Sequence, residues 1–126
     1  MARFLSVTVL VLRLGAACPA QESERLPHRL LYVGSSSSER AKSFESFLSA
    51  RFESVRTAER ESFDPEDVDE IDVALLDWSQ GDIEGRNLSE LASPLGPRES
   101  WSVPTILLGS AGILIATPWG IRGSFG

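Results

Sequence analysis

Three short apolar runs, at residues 29–33, 71–76 and 103–108, end in a similar way. Each is followed by Gly or Asp, with a serine one or two positions later. Strands of a parallel sheet that helices cover on both faces are short and apolar throughout. The pattern therefore predicts an α/β fold, a small open and mostly parallel sheet of about four strands with flanking helices in a three-layer sandwich.

Weaker patterns predict the remaining elements. Residues 54–58 alternate in polarity, which is typical of a strand at a sheet edge. Ser36 and Glu39 have the spacing of a capping box and predict the start of a helix. Asp64 followed by Pro65 predicts a second helix start, and residues 79–102 form a long connection with one helical turn at residues 87–92. The first helix should bury one apolar stripe: Ala41, Phe44, Phe47, Leu48 and Phe52.

The strand ends define where a ligand would bind. In open parallel sheets, ligands bind outside the carboxyl ends of the strands. At one of those ends, Asp77 is either a functional acid or an ordinary cap or turn residue. The candidate ligand-binding residues are therefore Gly34, Ser35, Ser36, Asp77, Trp78, Ser79, Gly109 and Ser110.

The first twenty residues have the composition of a signal peptide. Arg3 supplies a positive start, residues 4–12 are mostly apolar, and residues 18–20 (Cys-Pro-Ala) resemble a small-residue cleavage site. We therefore expect a signal peptide at 1–20, a linker at 21–28, an α/β domain at 29–126, and a secreted or periplasmic protein. A buried first strand or a misassigned start codon is the alternative interpretation, and lipoprotein anchoring at Cys18 is a minority one.

Composition narrows the classes of partner and chemistry. The chain of 126 residues has room for one domain. Removal of residues 1–20 takes away two arginines and no acidic residue, which changes the formal charge from −6 to −8. Such an acidic chain without a basic patch is not expected to bind nucleic acid. The apolar N-terminal stretch is also too short to span a bilayer, which needs about 20 residues.

The common catalytic motifs are incomplete. Residues 108–112 (Leu-Gly-Ser-Ala-Gly) lack the first glycine of a nucleophile elbow, and no histidine follows them. His28, the single histidine, precedes the first strand, and Cys18 is the single cysteine. We therefore expect no catalytic residues, no metal site and no enzymatic activity.

The serine run at residues 35–38 has two interpretations. The favoured one is a serine-rich helix cap. In the other, Gly34 and the hydroxyls hold a phosphate, because glycine lets the backbone approach closely and a helix start favours an anion. This arrangement resembles the phosphate loop of flavodoxins, and residues 77–82 resemble their aromatic flavin-stacking loop. The resemblance implies FMN as an alternative cofactor and an electron carrier as the alternative function, whereas the favoured interpretation needs no cofactor.

The strand order, residues 63–78 and the turn at residues 107–112 together resemble the class I glutamine amidotransferase-like superfamily, and within it the exported ThuA-like (trehalose-utilisation) members. The resemblance implies a small polar ligand, for which carbohydrate is one candidate, bound through Ser35, Asp77, Trp78 and Ser110. The cysteine of active amidotransferases and their His-Glu pair have no counterparts, so we expect a non-catalytic or degenerate domain. The folds of that superfamily also continue with further strands after the helix that follows this turn. A partner chain covering an exposed sheet edge, or an incomplete fragment without independent activity, therefore stays an alternative.

Overall fold

The computed structural model describes residues 24–122 and contains one four-stranded sheet. The strands are β1 (Leu26–Gly34), β2 (Phe52–Glu59), β3 (Val73–Trp78) and β4 (Thr105–Gly109). They lie in the order β2-β1-β3-β4, and every neighbouring pair is parallel. The predicted α/β fold with an open parallel sheet is confirmed, and β2 is an edge strand as its alternating pattern indicates. The predicted signal peptide and the start of the linker lie outside the described residues.

Within residues 24–122, three helices accompany the sheet. They are α1 (Glu39–Ser49), α2 (Gln80–Ile83) and α3 (Ala111–Ala116). Single 3₁₀ turns occur at Arg60–Ser62, Leu88–Glu90 and Arg98–Ser100. The turn Leu88–Glu90 falls within the helical turn predicted at residues 87–92. Within residues 24–122 no helix has the length and apolar character needed to cross a membrane.

Two apolar cores lie on opposite faces of the sheet, because successive side chains of a strand point to opposite sides. On the α1 face, the buried core residues are Leu30, Tyr32, Ala41, Leu48 and Leu75. On the other face, α3 and the long connection pack against the sheet. The buried residues of that core are Leu31, Val33, Ala74, Leu76, Trp78, Ile83, Leu95, Ala111, Leu114 and Ile115. Period-two alternation thus sends Asp77 toward the α1 face and Trp78 toward the other.

Helix α1 departs from the prediction at its start and in its buried stripe. Its N-cap is Ser38, whose hydroxyl accepts a hydrogen bond from the Ala41 amide, so the prediction of Ser36 was wrong. Leu48 is buried as expected, but the Phe47 side chain is 53% exposed. Phe47 instead contacts solvent and the Arg51 guanidinium, which lies 3.8 Å from the centre of its ring. The helix therefore buries a narrower stripe than its apolar residues suggest.

The helix predicted from Asp64 does not form. The Asp64 carboxylate accepts a hydrogen bond from the Glu66 amide, and the Asp64 carbonyl accepts one from Asp67, which closes a single turn. Aspartate can bond to its own local backbone in this way and so compete with helix formation. Val68 and Ile71 then pack against the core from an irregular segment. The capping pattern was present, but no apolar stripe at helical spacing followed it.

Candidate functional site

The carboxyl ends of β1, β3 and β4 lie side by side, as the sequence predicts. The chain leaves β1 toward β2 on one side of the sheet, whereas β3 and β4 lie on the other side. The strand order therefore reverses between β1 and β3, and such a switch point is where open α/β sheets bind ligands. The candidate residues surround this point but divide between its two faces.

Asp77 lies at the switch point and is almost completely buried. Its Oδ2 atom accepts hydrogen bonds from the Tyr32 hydroxyl at 2.5 Å and from Arg40 Nε at 2.7 Å. Its Oδ1 atom accepts a further bond from Arg40 Nη2 at 3.0 Å. This two-pronged contact is the geometry in which arginine binds carboxylates most strongly. The negative charge of the Asp77 carboxylate is therefore paired within the fold.

The same contacts change the ionisation of both partners of Asp77. Burial raises the pKa of Tyr32, and the hydrogen bond to the Asp77 carboxylate raises it further. The hydrogen bond to Asp77 also raises the pKa of Arg40. Gly34 makes room for this arrangement, since a Cβ atom there would lie 2.7 Å from the Tyr32 ring. Tyr32 is accordingly a neutral donor and Arg40 a permanent cation at neutral pH.

The serine run forms a capped turn in which the donors of Ser36 and Ser38 are occupied. Ser38 donates its hydroxyl and its amide to the Ser35 carbonyl, at 2.7 and 3.0 Å. The Ser36 amide and hydroxyl both donate to Glu59 Oε2, each at 2.9 Å. Glu59 is the last residue of β2, next to β1 in the sheet. A carboxylate of the chain itself therefore holds the position that the phosphate-loop interpretation gives to a phosphate.

Ser79 and Ser110 also make hydrogen bonds to nearby parts of the fold. Ser79 forms a capping box with Asp82 at the start of α2. Burial raises the pKa of Asp82, but the hydrogen bonds from Ser79 and the charge of Arg60 outweigh that effect, so the pKa is lowered overall. The Ser110 hydroxyl donates to Gln80 at 3.2 Å. These residues tie the ends of β3 and β4 together.

Gly109 lies at the end of β4 in a backbone conformation that suits glycine. Its φ angle is +61°, in the left-handed region, and a Cβ atom would collide with the Trp78 carbonyl. The Ser110 amide donates to that same carbonyl at 2.7 Å. The close approach of the two strand ends thus depends on the absence of a side chain at Gly109.

The face opposite to Asp77 contains a cavity of about 420 Å³, which we call the Trp78 cavity. It lies beside the carboxyl ends of β2 and β3 and is walled on its far side by residues 91–96 of the long connection. Of the predicted ligand-binding residues, Trp78 alone lines it. The complete lining consists of Arg60, Glu61, Phe63, Pro65, Trp78, Arg86, Leu91, Ala92, Ser93, Pro94 and Gly96.

Arg60 is the most unusual residue of this cavity, because its charged side chain is only 5% exposed. Its guanidinium lies over the Trp78 ring, 4.3 Å from the centre. Both hydrogen bonds that the side chain makes to described residues come from Nη1, to the Asp77 carbonyl at 2.9 Å and to Asp82 at 3.4 Å. Arg60 Nε and Trp78 Nε1 are buried and have no partner among residues 24–122. Buried donors without partners are rare in folded proteins and call for an explanation.

The far wall of the cavity is fixed by anchoring residues. Leu95 is fully buried in the core, and Gly96 has a φ angle of +71°. The Trp119 indole donates to the Gly96 carbonyl at 2.9 Å. The cavity is therefore bounded by a loop with tertiary anchors.

Comparison of the chain with protein-family models, curated proteins and solved structures found no match. Over residues 24–122, no three metal-ligating side chains come together in a group that could hold a metal ion.

Arg60 was missed by the sequence analysis, although a signal was present. Arg60 follows β2 directly, so it belongs to the same ring of strand-end residues as the predicted sites. The predicted site included residues at the carboxyl ends of the three apolar runs, but none at the end of the weaker second strand. The wall at residues 91–96 had no such signal, because it comes from a connection whose path depends on tertiary contacts.

Proposed function

We propose that this chain is a non-catalytic α/β domain that binds a small polar ligand in the Trp78 cavity. The observation that carries the proposal is the buried Arg60 guanidinium, which lines the cavity and has an unpartnered Nε atom. A volume of about 420 Å³ falls within the ordinary range for small-molecule sites. A mainly apolar wall with a few polar groups is also typical of such sites.

Binding without catalysis fits the groups at the strand ends. The Asp77 carboxylate is held by Tyr32 and Arg40, as described above, and Glu61 at the cavity lies 3.8 Å from Arg86. Neither acid is paired with a nucleophile among the described residues that line the cavity. The resemblance to ThuA-like proteins supports the same proposal. The catalytic cysteine and the His-Glu pair of active amidotransferases have no counterparts in this chain. Export through residues 1–20 forms part of this proposal, and the N-terminal mass of the exported protein tests it.

FMN binding is the second candidate, favoured by the two Ser36 donors that converge on one carboxylate oxygen. A phosphate at that position would have to displace Glu59. Flavin absorbance in the purified protein tests this candidate directly. Glu59→Gln, which lowers the competing charge, should increase FMN binding if the candidate is right, whereas equal and negligible binding by both proteins would reject it.

The proposal is tested by NMR chemical-shift mapping with three probes, namely glucose, 2-naphthamide and 2-naphthoate. We expect at least one probe to shift the signals of Trp78 and Leu91. Ala92→Trp, which places a bulky ring in the cavity wall, should abolish those shifts. Ala50→Trp, at an exposed position after α1, is the matched control and should preserve them. Shifts centred on Ser36 or Ser110, or binding that survives Ala92→Trp, would contradict the proposal.

A further inference from the structure

The Trp78 cavity carries an excess of positive charge. Arg60, Arg86 and Glu61 are its charged lining residues, with a formal sum of +1. The Arg86 side chain is half exposed, and its contact with Glu61 is long, at 3.8 Å. Exposed ion pairs of this kind contribute little stability, so Arg86 can turn toward a ligand at small cost.

Arg60 has a single ion-pair partner among residues 24–122, the partly exposed Asp82. The Asp77 carboxylate is bound by Tyr32 and Arg40 and offers Arg60 only its backbone carbonyl. Asp82 lies 3.4 Å from Arg60 Nη1 but also accepts the Ser79 amide. A buried charge is costly unless it is paired and hydrogen-bonded. The cavity therefore favours a ligand that brings a negative oxygen to this guanidinium.

The remaining wall determines what else the ligand must carry. Phe63, Pro65, Leu91 and Pro94 are apolar and line the same cavity as Arg60. A ligand that is charged throughout would leave these side chains uncovered. An acid group at one end and a flat apolar body at the other would match both parts of the wall.

We propose that the ligand is a monoanionic carboxylate with a flat apolar body, an inference that rests on the ligand-binding function proposed above. The carboxylate accepts hydrogen bonds from Arg60 and Arg86, and the body packs against Phe63 and Leu91. A planar guanidinium matches a carboxylate with two parallel hydrogen bonds. A single negative charge matches the formal sum of +1 over the lining residues, whereas a phosphate dianion would exceed it.

Isothermal titration of the full chain with 2-naphthoate, its neutral analogue 2-naphthamide and the dianion 2-naphthyl phosphate tests this inference. We expect 2-naphthoate to bind about tenfold more tightly than the amide, as a charge-assisted hydrogen bond provides. The phosphate should bind more weakly than 2-naphthoate.

Two variants assign the preference to the cavity. Arg60→Lys keeps the charge but removes the paired N–H donors of the guanidinium, and should reduce the advantage of 2-naphthoate over the amide by about tenfold. Arg86→Gln should weaken 2-naphthoate more than the amide and provides a test at an exposed position if Arg60→Lys fails to fold. Arg98→Gln, an exposed arginine outside the Trp78 cavity, is the matched control and should bind like the unmodified protein.

The contrary outcomes separate the two proposals. Equal binding of 2-naphthoate and the amide, or tighter binding of the phosphate, would overturn the carboxylate inference and leave the binding function standing. The same holds if neither 2-naphthoate nor the amide binds but glucose shifts the Trp78 signals. If no probe shifts those signals, both proposals fail.

Discussion

Asp77 and Arg60 lie at the carboxyl ends of different strands, β3 and β2. They face opposite sides of the sheet and differ in how far their charges are paired. Asp77 is paired by Arg40 and Tyr32 inside the fold. Arg60 is buried with an unpartnered nitrogen beside a cavity. The positions of the strand ends in the sequence predicted where Asp77 lies, but only the side-chain contacts show that Arg60 Nε is buried without a partner among residues 24–122.

Gly109→Ala tests the close approach of β3 and β4 at the scale of one residue. The positive φ angle and the collision with the Trp78 carbonyl should lower the free energy of unfolding by about 1–3 kcal/mol. Gly112→Ala is the matched control, because a Cβ atom there meets no atom within 4 Å and the position is helical. It should be neutral or should stabilise by about 0.5–1 kcal/mol. Urea unfolding measures both, and equal stabilities of the two variants would contradict the geometry at Gly109.

The lowered pKa of Asp82 predicts how the free energy of unfolding changes with pH. Its pKa in the folded protein is below the ordinary value of 3.8, so the stability it contributes is fully present above that pH. That contribution is lost as the pH falls from about 4 through the lowered folded pKa. Urea unfolding between pH 7 and pH 3 should therefore show a stability difference between the parent protein and Asp82→Asn that shrinks below pH 4. Asp69→Asn, at an exposed position, leaves the Ser79 capping box intact and serves as the control. A difference independent of pH would disprove this role of Asp82.

The two central strands of the sheet were predictable because their apolar sequences coincide with their packing. β1 and β3 are apolar on both faces and are covered on both faces. The segment at Asp64 was not predictable in the same way. Its capping residues are those of a helix start, but a local turn satisfies them, and no stripe of apolar residues favours a helix. Capping signals without periodicity are therefore weak evidence for a helix in this chain.

Adjacent residues of α1 test which stripe of the helix is buried. Leu48→Ala should cost about 2–5 kcal/mol, because Leu48 is buried between the helix and the sheet. Phe47→Ala should cost less than about 1 kcal/mol, the scale of an exposed contact between an arginine and an aromatic ring. The sequence alone suggests the larger cost for Phe47. Thermal or urea unfolding of both variants decides, and a larger loss for Phe47→Ala would mean that the helix is rotated.

For the whole molecule, the strand order β2-β1-β3-β4 puts the switch point between β1 and β3, and the sequence pattern predicted this end of the sheet. It could not find the Trp78 cavity, because the cavity depends on the path of residues 91–96 and on the anchoring of Gly96 by Trp119. Those contacts join positions 23 residues apart and have no local pattern. The strand pattern therefore predicts the edge of the sheet where the cavity lies, whereas the lining of the cavity depends on tertiary packing.

A crystal structure of the protein with 2-naphthoate tests ligand binding in the Trp78 cavity directly. We expect the carboxylate within hydrogen-bonding distance of Arg60 and the ring system against Phe63 and Leu91. Density for the compound at Ser36 or at Ser110, with the Trp78 cavity empty, would contradict it.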